Sequence, residues 1–162
     1  MRKVLGIDPG IERLGWAVLE EEGKQFKYLS SGVKKTLKTK AQYVRLLEIH
    51  NFLEELIIAE KPEAMALEKL FFSQNVKTAM VVGEVRGVIL MLAAKHNLSV
   101  QEFAPSEIKL SLAGYGRADK KSVLNMIKLI LEVPDKKYLD DESDAIAIAC
   151  CGVIHRNPLQ MN

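Results

Sequence analysis

Val4-Leu5-Gly6-Ile7-Asp8-Pro9-Gly10 is the stretch on which the rest of the chain turns. An apolar run enters a Pro/Gly breaker pair without interruption, the pattern of a buried strand that stops abruptly. Such a run carries the backbone into the interior and leaves one carboxylate, Asp8, at the strand's end. A carboxylate there is costly unless it is paired or holds a metal ion. Asp-Pro-Gly is also ordinary turn chemistry, so Asp8 reads equally as turn residue or as ligand until the other acids are considered with it.

Outward from that strand, Gly15-Trp16-Ala17-Val18-Leu19 reads as a second strand, Glu20 to Gly23 as a polar turn, and Phe26 to Val33 as a third strand. The chain therefore opens with two hairpins in one antiparallel sheet. Lys34 to Lys40 is a basic loop, most simply a solvated one. Thr39 with Gln42 is a capping-box signal for an amphipathic helix reaching about Glu60, with Val44, Leu47, Phe52 and Leu56 as its buried stripe. Ala64 to Glu68 is a short apolar fourth strand that again ends in an acid. A long helix follows from about Asn75 to Lys95, with Gly83 and Gly87 one turn apart. Interior helix glycines cost about 1 kcal/mol each against alanine, which points to a close backbone neighbour, either this chain's own sheet or a partner helix. Leu98 to Phe103 is a fifth strand, and Pro105-Ser106 starts a short helix. Asp119 caps a helix from Lys120 to about Leu131, after the basic loop Gly114-Tyr115-Gly116-Arg117. The last helix starts near Asp140 and runs on through Ala145 to Ile154. It is apolar nearly all round, so it lies buried.

This order predicts an α/β fold with a five-stranded mixed sheet flanked by helices. The length of 162 residues fits one domain, taken as residues 1–156, with 157–162 as a short polar tail. Hydrophobic content of 48% with 27% charged excludes a disordered chain. There is no run of membrane-span length and no signal-peptide core after Met1-Arg2-Lys3, so the expected location is cytoplasmic. Cys150 and Cys151 are neighbours in an apolar helix and read as core residues, not as a bridge or a zinc pair. The net charge of +2 says little by itself. With four acids set aside as cation ligands the remainder is clearly basic, which is compatible with a polyanionic partner.

The acids draw together on topology. A central first strand with the fourth beside it ends Asp8 and Glu68 at one edge of the sheet. Asp141 and Asp144, three apart at a helix start, share a face. Capping accounts for one acid at a helix N-terminus, but not for an acid-rich start to a helix that is otherwise buried. Four carboxylates with no thiol or imidazole select hard cations such as Mg²⁺ or Mn²⁺. Two such ions about 3.5–4 Å apart are the arrangement for in-line phosphoryl displacement. No Ser/His/Asp nucleophile set is visible, and His50 and His96 lie in or at the ends of helices without an assigned task.

Four motifs, in order, carry a family resemblance: Gly6-Ile7-Asp8-Pro9-Gly10; Ala66-Leu67-Glu68-Lys69-Leu70-Phe71 with Asn75 soon after; Gly83-Glu84-Val85-Arg86-Gly87; and Asp141-x-x-Asp144-Ala145-Ile146-Ala147-Ile148-Ala149. Over nearly its whole length the chain resembles the RuvC family of bacterial Holliday-junction resolvases, in the ribonuclease H-like superfamily. The resemblance implies a ribonuclease H-like fold and a DNA endonuclease that resolves four-way junctions by paired symmetric nicks. It implies two Mg²⁺ per active site, with Mn²⁺ able to substitute, held by Asp8, Glu68, Asp141 and Asp144. The Asp140-Asp141 doublet also offers Asp140, although the family spacing favours Asp141. Phe71 matches an aromatic that stacks on a base near the crossover, and Lys109 and Lys120 match lysines near the scissile phosphate, Lys120 in a catalytic role. Arg117 and Lys121 add charge nearby as further DNA-contact candidates. The resemblance also implies a homodimer through the long central helix, four-way junction DNA as partner, RuvA and RuvB branch-migration proteins as associates, and no membrane. Competing readings are another ribonuclease H-like nuclease acting on RNA, an actin-like ATPase phosphate loop, and a non-catalytic junction-binding module. The ATPase needs two such domains, and a module without activity would have lost acids.

Overall fold

Alternation along the first strand separates the two faces of the molecule. The computed structural model describes residues 1–23, 25–69 and 76–155. In β1 (Arg2–Asp8) the side chain of Val4 points to one face of the sheet, whereas Leu5 and Ile7 point to the other. β2 (Arg13–Glu22) and β3 (Gln25–Lys35) pair antiparallel beside it, and β4 (Ala64–Glu68) and β5 (Ser99–Phe103) pair parallel on its other side, giving the order β3-β2-β1-β4-β5. The mixed sheet and the central position of β1 are as expected. Lys34 and Lys35 are the last residues of β3, so the basic loop is shorter than the sequence suggested.

One face carries α1 (Gln42–Glu60) and α2 (Val76–Lys95), packed over the large side chains Leu5, Ile7, Met65 and Leu67. The other carries α5 (Asp140–Ile154), with α3 (Pro105–Ala113) and α4 (Lys120–Ile130) beside it. There Val4, Ala17, Ala64 and Ala66 are small, and the larger strand side chains are Leu19 and Phe103. This asymmetry lets α5 approach the backbone of β1 and β2. A Cβ on Gly6 would lie 2.5 Å from the Ala145 carbonyl oxygen, and one on Gly15 would collide with the Asp141 carbonyl. Cys150 and Cys151 are buried free thiols in this contact.

Two expectations are corrected, and one open alternative is narrowed. The Thr39–Gln42 capping box does not form, because Ala41 is the N-cap of α1 and no side chain caps it. The buried stripe of α1 is Arg45, Ile49, Leu53 and Ile57; Leu47 is exposed, and Phe52 and Leu56 are half-buried. Gly83 and Gly87 do not pack on the chain's own sheet, for a Cβ on either would meet nothing within 4 Å among the described residues. Among the described residues no helix is long and apolar enough to cross a membrane. The expected tail, 157–162, lies outside the described residues.

Candidate active site

Each acid reaches the site by a different local route. The β1–β2 ladder pairs Asp8 with Gly15, and the β1–β4 ladder pairs Ile7 with Leu67, so Asp8 and Glu68 end adjacent parallel strands. Arg86 of α2, a buried guanidinium, donates from Nη1 to the Glu68 carbonyl at 2.5 Å and ion-pairs with Glu102. The end of β4 is thereby tied to the long helix. Asp141 and Asp144 lie in the first turns of α5, whose N-cap is Leu139 with no side-chain cap bond, so these acids are not there to cap the helix. Asp119, by contrast, does cap α4, accepting from the Ser122 amide at 2.7 Å.

Burial pushes the Asp8 carboxyl up to about 7, with Asp144, then Glu68, then Asp141 adding repulsion and Lys120 opposing them. Glu68 is raised too, by burial first and Asp144 second, against Lys120, Arg86 and Lys109. These four acids therefore share one electrostatic neighbourhood. Asp141 is inside it, with its side chain 19% exposed, while Asp140 is 79% exposed and within 3.8 Å of Lys120. Of the doublet, Asp141 is the more buried side chain and the one that acts on Asp8.

Two cations of the chain sit against the helix acids. Lys120 Nζ is 2.7 Å from Asp144 Oδ2 and 3.8 Å from Asp140, and the bond to Asp144 holds its ammonium above the ordinary lysine range. Arg13 Nε is 3.0 Å from Asp141 Oδ2. That oxygen is buried and accepts no hydrogen bond among the described residues, so the contact is one of charge without hydrogen-bond geometry. As the side chains stand, no three acids, histidines or cysteines among the described residues are gathered tightly enough to hold an ion. The donor set nonetheless suits a hard cation: oxygen donors only, one carboxyl driven toward protonation by burial and then by its acidic neighbours, and one buried oxygen without a donor.

A cavity of about 250 Å³ opens beside Glu68 and Asp144, and Lys109 and Lys120 line it. Arg117 and Lys121 are exposed on the approach to α4 and in its first turn and are not brought into this cavity. Phe71 lies outside the described residues. Arg13, Arg86 and Glu142 escaped the sequence reading. Glu142 is a buried carboxylate that accepts from Ser31 Oγ at 2.6 Å and Lys136 Nζ at 2.8 Å, fastening the first turn of α5 to β3. The Gly83-Glu84-Val85-Arg86-Gly87 motif pointed at Arg86 without giving it a task.

Residues 4–152 match the family model described as Crossover junction endodeoxyribonuclease RuvC. The Alkaliphilus metalliredigens protein of that name is 45% identical over 148 residues, covering 91% of this chain and 90% of its own length. The structure of Thermus thermophilus RuvC in complex with Holliday junction substrate superimposes with a TM-score of 0.87 at 33% identity, covering 92% of this chain and 91% of that one. The yeast mitochondrial Holliday junction resolvase Ydc2 shares the fold, with a TM-score of 0.68 at 14% identity, covering 91% of this chain and 76% of its own. On the match to the family model and the identity to its members, the chain belongs to the RuvC family of crossover junction endodeoxyribonucleases.

Proposed function

We propose that this protein is a structure-selective DNA endonuclease that resolves four-way junctions by paired symmetric nicks, with two divalent cations, Mg²⁺ or Mn²⁺, at each active site. The observation that carries the reading is the gathering of Asp8, Glu68, Asp141 and Asp144 from three elements into one repulsive neighbourhood beside Lys120. A junction as substrate is supported by the Thermus thermophilus relative, which was solved with one.

When bound, the cations supply an activated water and stabilise the leaving 3′ oxygen of a phosphodiester. The chain supplies position and charge. Asp8 and Glu68 are ligands held by strand ladders, and Asp141 and Asp144 are ligands held by the first turns of α5. Lys120, at the mouth of the Glu68–Asp144 cavity, neutralises charge that builds on the scissile phosphate. Lys109 adds a second cation in the same cavity, and Arg117 and Lys121 meet the backbone further out. Phe71 is assigned the base-stacking role by its match to the family motif. A second copy of the chain docks on α2, where Met80 and Met91 are exposed and Gly83 and Gly87 leave open space. A two-fold dimer then offers one site to each strand cut. RuvA and RuvB are the expected associates, in the cytoplasm.

The deciding experiment incubates the protein and Mg²⁺ with a synthetic four-way junction, a linear duplex and an RNA–DNA hybrid. Symmetric nicks in the junction alone are expected. Cleavage of the hybrid alone would move the assignment to an RNA-directed nuclease of the same superfamily.

A further inference from the structure

Asp141 differs from the other acids in its surroundings. Lys120 hydrogen-bonds Asp144, but the cation against Asp141 is Arg13, and Asp141 Oδ2 completes no hydrogen bond. Arg13 stands at the start of β2 with its side chain 53% exposed, so it is free to turn to another anion without disturbing the core. What such an anion would find beside it is a second cavity, of about 470 Å³, which Arg13 and Asp141 line together with Arg45, Thr78 and Glu12. This cavity shares no lining residue with the one at Lys109 and Lys120. The two flank the carboxylates, with Asp144 and Glu68 at one and Asp141 at the other.

Arg45 is the unexpected member. It is nine-tenths buried in the stripe of α1 where an aliphatic residue would ordinarily sit, at 9% exposure. Its Nε donates to Thr36 Oγ1 at 2.8 Å, and Thr36 in turn donates to the Ile11 carbonyl at 2.5 Å, which fixes the guanidinium against the β1–β2 turn. Its Nη2 has no partner among the described residues. A buried N–H without an acceptor is costly, and a guanidinium fork is shaped for the paired oxygens of a phosphate. Glu12 does not supply the acceptor; it is paired with Lys38 at 3.0 Å.

We propose that the Arg13–Arg45 cavity takes a backbone phosphate of the DNA strand next to the scissile one, and that this phosphate draws Arg13 off Asp141 and opens Oδ2 to a divalent cation. The inference rests on the reading of the four carboxylates as metal ligands. In the free protein Arg13 and the cation compete for one oxygen; with DNA bound the competitor has its own anion. DNA and metal then strengthen each other's binding by the same factor, as linkage requires.

The test is a calorimetric titration of Ca²⁺, which keeps the junction intact, into the wild-type protein and Arg13→Gln, each alone and with a saturating four-way junction. Arg13→Gln alone is expected to bind Ca²⁺ several-fold more tightly than wild type, while the gain on adding the junction shrinks by a similar factor. Mere loss of a positive charge would raise affinity equally with and without DNA and leave that gain unchanged, which would overturn the inference. The slope of log K against log salt for junction binding should fall by about one for Arg13→Gln; an unchanged slope counts against the phosphate subsite. Arg45→Lys keeps the charge but not the fork, so it should lower the junction-induced gain and leave Ca²⁺ affinity of the free protein as it was. An Asp144→Asn protein that binds Ca²⁺ as well as wild type would remove the four-carboxylate reading itself, separately from the role of Arg13.

Discussion

The strand half of the site, Asp8 and Glu68, and the helix half, Asp141 and Asp144, are built on opposite terms. The strand acids are held by backbone: ladder bonds on both sides of β1, and the Arg86 clamp on the Glu68 carbonyl. Among the described residues neither has an ion-paired cation, and both are pushed toward the protonated form, mainly by burial. The helix acids are held by packing and by side chains, through Gly15 beneath the Asp141 carbonyl and the Ser31–Glu142–Lys136 tether. Each has a cation of the chain against it, Arg13 or Lys120. A strand end cannot shift to relieve its charge, so its repulsion persists and, under the proposed function, is relieved by a bound cation. A helix end with flexible cations beside it can exchange partners. Rigidity and charge compensation are divided between the halves.

The largest effect should come from breaking the strand half. Under the proposed metal-ligand role, in which several kcal/mol are at stake, Asp8→Asn is expected to lower cleavage by about 10³-fold or more, with junction binding retained in Ca²⁺. The same change should stabilise the metal-free protein. The folded pKa of about 7 lies above the ordinary carboxylate value of 3.8, so between these limits the folded state holds more protons than the unfolded one. Stability from this group is full below the lower limit and is lost as pH rises through the upper one, at about 1 kcal/mol per unit within the window. Melting temperature in EDTA should therefore fall from pH 5 to pH 8 in the wild type and fall less in Asp8→Asn. Added Mg²⁺ should recover the loss at pH 8. A wild-type melting temperature that rises with pH across this range would show that Asp8 is not the strained carboxylate described.

Removing the compensating charge from the helix half comes next. Lys120→Ala should slow cutting by about 10²–10³-fold, the usual cost of deleting one preorganised donor at a developing charge. The melting temperature should hardly move, because the Lys120 side chain is 62% exposed and pairs near the surface contribute little. Lys120→Arg should restore little, a planar fork being a poor copy of a compact ammonium. Rates for both variants with saturating junction separate this from weakened binding.

The same division decides what was legible in the sequence. Strand order and the two strand acids could be read because an apolar run stopped by Pro/Gly, or ending in Glu68, announces itself locally. α5 could be read because it is apolar all round. The phase of α1 could not, for Leu46, Leu47, Ile49, Phe52, Leu53, Leu56 and Ile57 offer several competing stripes. The one chosen by the fold includes a charged residue, Arg45, made tolerable by a hydroxyl nine positions earlier. Arg13, Arg86 and Glu142 owe their roles to partners far along the chain, 111 positions away in the case of Ser31 and Glu142. No local pattern marks such contacts. Lys109 and Lys120 were legible only through family motifs, and the structure does bring them to one cavity.

Gly15→Ala tests whether close packing sets the helix half. The added Cβ runs into the Asp141 carbonyl, so the start of α5 must move away from β2. Overpacking of this kind costs about 1–3 kcal/mol, and a shift of about 1 Å at a reacting centre can cost about 10²-fold in rate. Ca²⁺ affinity should fall alongside the rate. Gly87→Ala is the matched control: in the open space on α2 it should stabilise the isolated chain by about 1 kcal/mol and, under the dimer reading, weaken self-association measured by sedimentation.

The smallest effect is expected where the helix half has a second support. Ser31 Oγ donates to Glu142 Oε1 at 2.6 Å and contacts Tyr28 Oη at 2.9 Å. Ser31→Ala removes that donor from a buried carboxylate, but Lys136 Nζ stays on the same oxygen at 2.8 Å. The charge remains paired, so the loss is that of one hydrogen bond to a charged group, about 1.5–3 kcal/mol at most and less with the lysine in place. Gly15 still seats the helix against β2, so Asp141 and Asp144 keep their positions. Cutting should drop by only a few-fold, with Ca²⁺ affinity nearly unchanged and the melting temperature lowered by a few degrees. The double variant Ser31→Ala/Lys136→Ala strips both donors and leaves Glu142 buried and bare, so its stability loss should exceed the sum of the two singles. If Ser31→Ala alone lowered Ca²⁺ affinity and rate as far as Gly15→Ala does, the polar tether and not the close backbone contact would be what fixes the helix acids.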